Sequence, residues 1–407
     1  MLNMNTPDDF SPELPAIAVR CFPALNGDCL LIDFGHSGEK HLLIDFGYVE
    51  TYASYLRGVL QEIGDRGEFL EKVIITHIDA DHILGAKPFL EDQVLSKAIT
   101  REVWHNTLRH LGPKANPDAQ ADGEEPDAIR RIRQRGYKGD PQSGVPRAVS
   151  AKQGTTIGAL LLKGCYPWNT AFGGKAVCIE HERTIAIDEN TSVFVLSPSQ
   201  DKLDALRNLW IKELKKFGQK MAPYALGYDD AFEMWLSWQN SDAVTGPRKV
   251  SAAADVESLA ALPLPVDNAP ANGSSIAFVL TIGEMKLLML ADAHMDLICA
   301  SLDEYSSGKI FFDLIKVAHH GSAGNISEAL LEKIDGKRYL FSTNGDRHNH
   351  PDRETIARII IRPATHTREL IFNYRTANAA FFDREDWKIK YNYNITYLGD
   401  EPHKITL

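Results

Sequence analysis

Short apolar runs alternate with amphipathic stretches along this chain, and the apolar runs repeatedly end in polar clusters. Residues 29–34 and 72–76 read as buried strands, and so do 191–196, 276–280, 286–290, 311–318 and 338–342. They are β-rich runs of four to eight residues bounded by Gly, Asn or Asp. Residues 202–218 place Leu203, Leu206, Leu209, Trp210 and Leu214 on one helical face, and 230–238 continue with Phe232, Trp235 and Trp238. A helix is expected over 353–361, opened by Pro351-Asp352. Strands are expected at 369–374 and 388–398, the latter from its alternation of apolar and polar positions. The Pro-, Gly- and Ala-rich stretch 112–144 reads as a flexible loop, 200–270 as a helical insertion with a linker back to the sheet, and 352–407 as a C-terminal helix with edge strands.

The richest chemistry follows the strand at 72–76. Thr76-His77-Ile78-Asp79-Ala80-Asp81-His82 packs two imidazoles and two carboxylates into six residues. Burying such groups unpaired costs several kcal/mol each, on the order of ~2–7 for a neutral polar group and more for a charge. Divalent cations remove that penalty, because carboxylates and neutral imidazoles are their ligands. Asp292 follows the strand at 286–290, and His319-His320-Gly321-Ser322 follows the one at 311–318. Strand ends of an open sheet are where ligands gather, so these pieces can converge. Asp292 could bridge two ions, and one of His319 and His320 could complete a coordination shell. His350, in Asn344-Gly345-Asp346-Arg347-His348-Asn349-His350-Pro351, could protonate a leaving oxygen or meet an anionic substrate.

The order of these motifs resembles the metallo-β-lactamase-fold hydrolases, in particular the branch containing the nuclease-like domain of DNA-uptake competence proteins. The likeness runs through Asn26-Gly27-Asp28, Leu42 to Gly47, His77 to His82, Asn272 to Ser275, Asp292, His319 to Ser322 and His350-Pro351. It implies an α/β fold, a four-layer αββα sandwich carrying the helical insertion, with residues 1–407 as a single domain. It implies two divalent ions, zinc or manganese, held by His77, Asp79, Asp81, His82, Asp292 and one of His319 and His320. Asp45 would orient ligands and Asp28 would hold the neighbouring loop. Asp81, His320 and His350 would act on the substrate. The family's further ligand, between the main motif and the bridging Asp, has no clear counterpart. His105 and His181 are the candidates, and both read equally as ordinary strand or turn histidines.

The expected activity is metal-dependent hydrolysis of a phosphodiester, small or nucleic, by a water that two ions ionise near neutral pH. Hydrolysis of another ester, lactone or thioester is the alternative, as is a non-catalytic part of a bacterial multiprotein, defence-like system. A net charge of −11 over 407 residues argues against a broadly basic nucleic-acid groove. Arg130-Arg131-Ile132-Arg133-Gln134-Arg135 is a local basic patch that also suits a solvated helical face. Five widely spaced cysteines without a Cys-x-x-Cys pair suit a reducing compartment, and neither an apolar leader nor a membrane span is evident. A cytoplasmic location follows, with a protein partner or a second copy meeting the helical insertion or the C-terminal edge strand.

Overall fold

The computed structural model describes residues 17–111, 126–137, 156–216, 226–239, 255–399 and 401–407. Among these residues two large sheets face each other. The first has the order β16-β1-β2-β3-β4-β5, built from β1 (Ala18–Cys21), β2 (Leu30–Phe34), β3 (Lys40–Ile44), β4 (Phe69–Ile74), β5 (Val103–Trp104) and β16 (His403–Thr406). The second has the order β15-β14-β13-β11-β9-β8-β7-β6. Its members are β6 (Thr184–Ala186), β7 (Thr191–Ser197), β8 (Ala277–Ile282), β9 (Met285–Met289), β11 (Leu314–Lys316), β13 (Arg338–Phe341), β14 (Arg368–Phe372) and β15 (Tyr393–Tyr397). A parallel pair, β10 (Ile310–Phe312) with β12 (Ile334–Gly336), stands beside them.

Three apolar cores mark the layers. One lies between the sheets and mixes Val19, Ile32, Leu42 and Ile74 of the first with Phe278, Leu287, Leu340 and Ile371 of the second. The opposite faces of the same strands are apolar too. Leu31, Leu43 and Val73 meet helices over the first sheet, while Val279, Leu288 and Ile315 meet helices over the second. Strands buried on both faces read as continuous apolar runs, which is why these were visible in the sequence. The result is the expected αββα sandwich.

The helical insertion closes part of the first outer layer. Its helices Gln200–Lys216 and Leu226–Gln239 join through Trp210, which is fully buried between Phe232 and Trp235 at ring distances of 5.7 and 5.1 Å. Asp229 fixes the second helix to the core through a buried ion pair with Arg109. Within 112–144, residues Asp127–Arg135 form a helix rather than a loop, because Ile129 is buried and Arg133 pairs with Asp230. Residues 112–125 and 138–144 lie outside the described residues.

Two expected strands differ. The run 311–318 divides at Asp313: β10 leaves to pair with β12, and β11 alone sits between β9 and β13. The Asp313 carboxylate accepts the backbone N–H of Lys286, taking the place of a ladder carbonyl. The run 388–398 is a helix, Glu385–Tyr391, followed by β15. Trp387 and Tyr391, one helical turn apart, pack on the second outer core, and Ile389 is left exposed. Glu385 and Asp386 at its start and Lys388 and Lys390 near its end complement the helix dipole, outweighing the period-two pattern. Asn392, in the left-handed region at φ 53°, ends the helix. No edge hairpin forms from this tail, since β15 extends the second sheet in parallel while β16 crosses to pair with β1 of the first. Among the described residues, no helix is long and apolar enough to cross a membrane.

Candidate metal centre

The C-terminal ends of β3, β4, β9, β11 and β13 meet at one edge of the sandwich. Backbone hydrogen bonds sew these ends together: Asp45 N donates to Ile74 O, Ile276 N to Thr76 O, and His319 N to Ala291 O. The turns are tight. Asp45, Ala291, His319 and His320 all take left-handed backbone conformations, with φ between 45 and 56°. Such conformations cost non-glycine residues on the order of 1 kcal/mol each and persist where surrounding contacts impose them, often at functional sites. Gly27 is needed for a different reason. A Cβ there would stand 1.9 Å from the carbonyl oxygen of Asp81, so only glycine lets the 26–28 turn lie against the 77–82 loop.

Asp45 is the anchor of the first motif. Fully buried, it accepts hydrogen bonds from Thr76 N, Thr76 Oγ1 and His82 Nδ1, each at 2.8 Å. Thr76 Oγ1 spends its proton on Asp45 and can therefore accept from His77 Nδ1 at 3.0 Å. One carboxylate thus sets two imidazoles, His82 directly and His77 through Thr76, with Nε2 of each pointing inward. His320 is set from the other sheet, its Nδ1 donating to Ser342 O at 2.9 Å.

These Nε2 atoms surround one carboxylate oxygen. Asp292 Oδ2 lies 3.7 Å from His77, 3.6 Å from His82, 3.7 Å from His319 and 3.9 Å from His320. Hydrogen bonds are shorter, about 2.7–3.2 Å. Two donors bound at ~2.1 Å to a tetrahedral ion stand about 3.4 Å apart, close to the spacing here. Asp79 Oδ2 is 3.5 Å from His77 Nε2, and Asp81 Oδ2 is 3.5 Å from His320 Nε2. Among the described residues three groups share His82, each with its ligand atoms within 4.8 Å of one another: His77, His82 and Asp292; Asp81, His82 and His320; and, behind the ring, Asp28, Asp45 and His82. Nε2 of His77, His82 and His320 and Oδ1 of Asp292 are buried without a hydrogen-bond partner. Buried polar atoms are nearly always satisfied, so a set of orphans aimed at one point fits a cation.

The charges respond to this crowding. Burial opposes protonation of His319 and His320, but Asp292 and its neighbours prevail and raise them to about 9 and about 10. His82 is raised as well, against burial, by Asp292 and Asp45. Asp28, Asp81 and Asp292 are held below the usual carboxylate range despite burial, Asp28 chiefly by Lys316. That lysine comes from inside β11, pairs with Asp28 at 2.6 Å, and both side chains are 2% exposed. Asp28 in turn backs His320, with Oδ1 3.4 Å from Nδ1.

The model of the metallo-beta-lactamase superfamily matches residues 23–154. These residues carry a metallo-beta-lactamase superfamily domain. No curated protein matches the chain. The superfamily is in general one of hydrolases that bind divalent metals, though some members are non-catalytic. The matched span of the metallo-beta-lactamase domain holds Asp28, Asp45 and the 77–82 motif, while Asp292, His319 and His320 lie beyond it and come to the same place through the second sheet.

The other candidates separate. His350 reaches the rim, its ring 5.7 Å from His319. His105 ends β5 beside the motif, fully buried, with Nδ1 3.4 Å from Ile75 O and burial lowering it to about 4. His181 bonds Ala176 O instead. Among the described residues neither joins the ligand groups. Sequence reasoning passed over the side chains that finish the rim. Asn26 Nδ2 donates to Asp81 Oδ2 at 2.8 Å, Tyr48 OH to Asn26 Oδ1 at 2.9 Å, and Arg347 Nη1 to Tyr48 OH at 3.4 Å. Asn26 and Arg347 sat within noted motifs; Tyr48 had no signal beyond its place directly after the Phe46-Gly47 turn.

Proposed function

We propose that this protein hydrolyses phosphodiesters with divalent metal ions held at the meeting point of the two sheets. The observation that carries the metal part is the single oxygen of Asp292 ringed by four imidazole nitrogens at 3.6–3.9 Å. In this reading His77, Asp79, Asp81, His82, Asp292, His319 and His320 would hold the ions. Ions in such a pair would acidify a water and polarise the oxygens of the ester. The chain's own residues do the rest. Asp81, fixed by Asn26, is placed to take and align a proton at its Oδ2. His350, with its imidazole lowered by burial, holds its ring at the rim, where it can donate a hydrogen bond to a leaving oxygen or accept one from it.

The phosphodiester preference rests on the rim. Arg347 donates to Tyr48 OH, and the rings of His348 and His350, which follow it in the chain, stand 5.8 Å apart. A guanidinium suits a phosphate oxygen better than the uncharged carbonyl of a lactam or lactone. With a net charge of −11, attraction for a polyanion would have to come from local patches such as this one.

A panel tests the proposal: bis(4-nitrophenyl) phosphate, single-stranded DNA and RNA, a chromogenic lactam, a lactone and a thioester, each with zinc and with manganese. Hydrolysis of the phosphodiesters, lost in Asp81→Ala and His82→Ala variants that keep their fold, is expected. Turnover of the lactone or thioester with none of the phosphodiesters would reassign the substrate. A metal-binding parent inactive on every substrate would favour a binding role.

A further inference from the structure

Asp267 lies in the Pro- and Ala-rich return from the helical insertion, just ahead of the Asn272 to Ser275 motif, and its side chain is only 12% exposed. Its carboxylate is fully engaged. Oδ1 accepts Ala269 N at 2.9 Å; Oδ2 accepts Asn272 Nδ2 at 2.7 Å and Asn325 Nδ2 at 2.9 Å. Oδ2 also stands 3.3 Å from His319 Nδ1.

Asn325 makes the arrangement directional. It is fully buried, and its Nδ2 faces Asp267 Oδ2 together with the carbonyls of Asp292 and Ala293, both at 3.3 Å. All three are acceptors, so the amide nitrogen must point at them and Oδ1 must point the other way. There it meets His319 Nδ1 at 2.8 Å. An amide oxygen can only accept, so His319 carries its proton on Nδ1. When the ring is neutral, Nε2 is then a lone pair, 3.7 Å from Asp292 Oδ2.

We infer that Asp267, acting through Asn325 as well as directly, is the positioning residue that presents His319 Nε2 to the metal centre. The inference rests on the metal-binding reading above. It makes His319 a counterpart of His82: a carboxylate behind Nδ1 in each case, Asp45 from the first sheet and Asp267 from the return segment beside the second. It also removes the choice between His319 and His320, since each is turned inward by its own partner, His319 by Asn325 and His320 by Ser342 O. The left-handed backbone of both residues is what lets two successive imidazoles face the same point.

The test is metal binding, read apart from activity. Zinc and cobalt affinity of the parent, Asp267→Ala and Asp267→Asn are measured by competition with a chromogenic chelator, with the cobalt absorption spectrum and thermal unfolding of the metal-free forms alongside. Loss of a partner behind a metal-bound imidazole typically costs 10–100-fold in affinity. Asp267→Ala is expected to weaken binding by that factor and to change the cobalt spectrum. A folded Asp267→Ala protein with the parent's affinity and spectrum overturns the inference and leaves the metal centre standing. A parent that binds neither ion removes the metal centre and the inference together. Should both variants fail to fold, nitrogen-15 NMR of the zinc-loaded parent decides: Nδ1–H with Nε2 on the metal supports the inference, and an Nε2–H tautomer of His319 overturns it.

Discussion

Metal and protons compete for the same imidazoles in this site, and that competition sets opposite pH dependences for the metal-free and metal-loaded protein. His320 is 4% exposed and held up to about 10 by Asp292 and Asp28 despite its burial. Its folded value exceeds the unfolded one, so its contribution to stability is complete below about pH 6.5 and is lost as pH rises through 10. His319 behaves alike, with a value of about 9, but its side chain is 24% exposed and solvent screens part of the effect. A ligated imidazole must be neutral. Removing the proton from His320 at pH 7 therefore costs about 4 kcal/mol, taking three pKa units at ~1.4 kcal/mol each. Calorimetric titration with zinc in buffers of differing ionisation enthalpy counts the protons. Release of two to three protons per chain at pH 7 is expected, from His82, His319 and His320, with affinity tightening about tenfold per pH unit per displaced proton between pH 7 and 9. Over the same range the metal-free melting temperature should fall, and His320→Gln should flatten that fall. Zinc binding without proton release, at constant affinity from pH 6.5 to 9, would refute the assignment of these imidazoles as ligands.

Three further substitutions probe the frame around the site. Lys316→Met leaves Asp28 charged and buried, so it should destabilise the metal-free protein by about 3–5 kcal/mol in urea unfolding, most of it recovered by adding Asp28→Asn. Trp210→Ala empties the contact with Phe232 and Trp235 and should lower stability by about 3–5 kcal/mol, with metal affinity unchanged. Arg347→Ala removes a charged donor worth about 1.5–3 kcal/mol; it should raise KM for a phosphodiester roughly 10–100-fold and leave KM for a neutral ester alone. Equal effects on both substrates would deny Arg347 a part in recognising charge.

What the sequence made legible was chemistry that violates its surroundings. Histidines and aspartates after apolar strands stand out because a core cannot hold them unaided, and the 77–82 loop, Asp292 and His319-His320 do converge. Residues that serve those groups from a distance carried no such signal. Asp267 is one acid among prolines and alanines, and only the folded return segment brings it to His319. Lys316 lies within an apolar run, and its partner Asp28 is 288 positions away in the sequence. The helix Glu385–Tyr391 was hidden for the opposite reason, since its alternating pattern favours a strand, and packing of Trp387 and Tyr391 together with the charges at its two ends decides otherwise.

The same features explain why the fold and the site stand or fall together. Asp28, Asp45, His77, His82, Asp292 and His320 are all under 6% exposed, and several of their polar atoms lack partners. Each such atom opposes folding by about 1–3 kcal/mol, against a net stability of about 5–15 kcal/mol for a typical domain. Two sheets with three apolar cores supply the excess that tolerates them, and the left-handed turns at Asp45, Ala291, His319 and His320 show where it is spent. An ion that satisfies four or more of these atoms at once relieves much of that strain, so metal at 100 times its dissociation constant should stabilise the chain by the mass-action value of about 2.7 kcal/mol. A polar cluster retained merely for packing would gain nothing from the ion. The difference between those two behaviours is the physical content of reading the cluster as a metal centre.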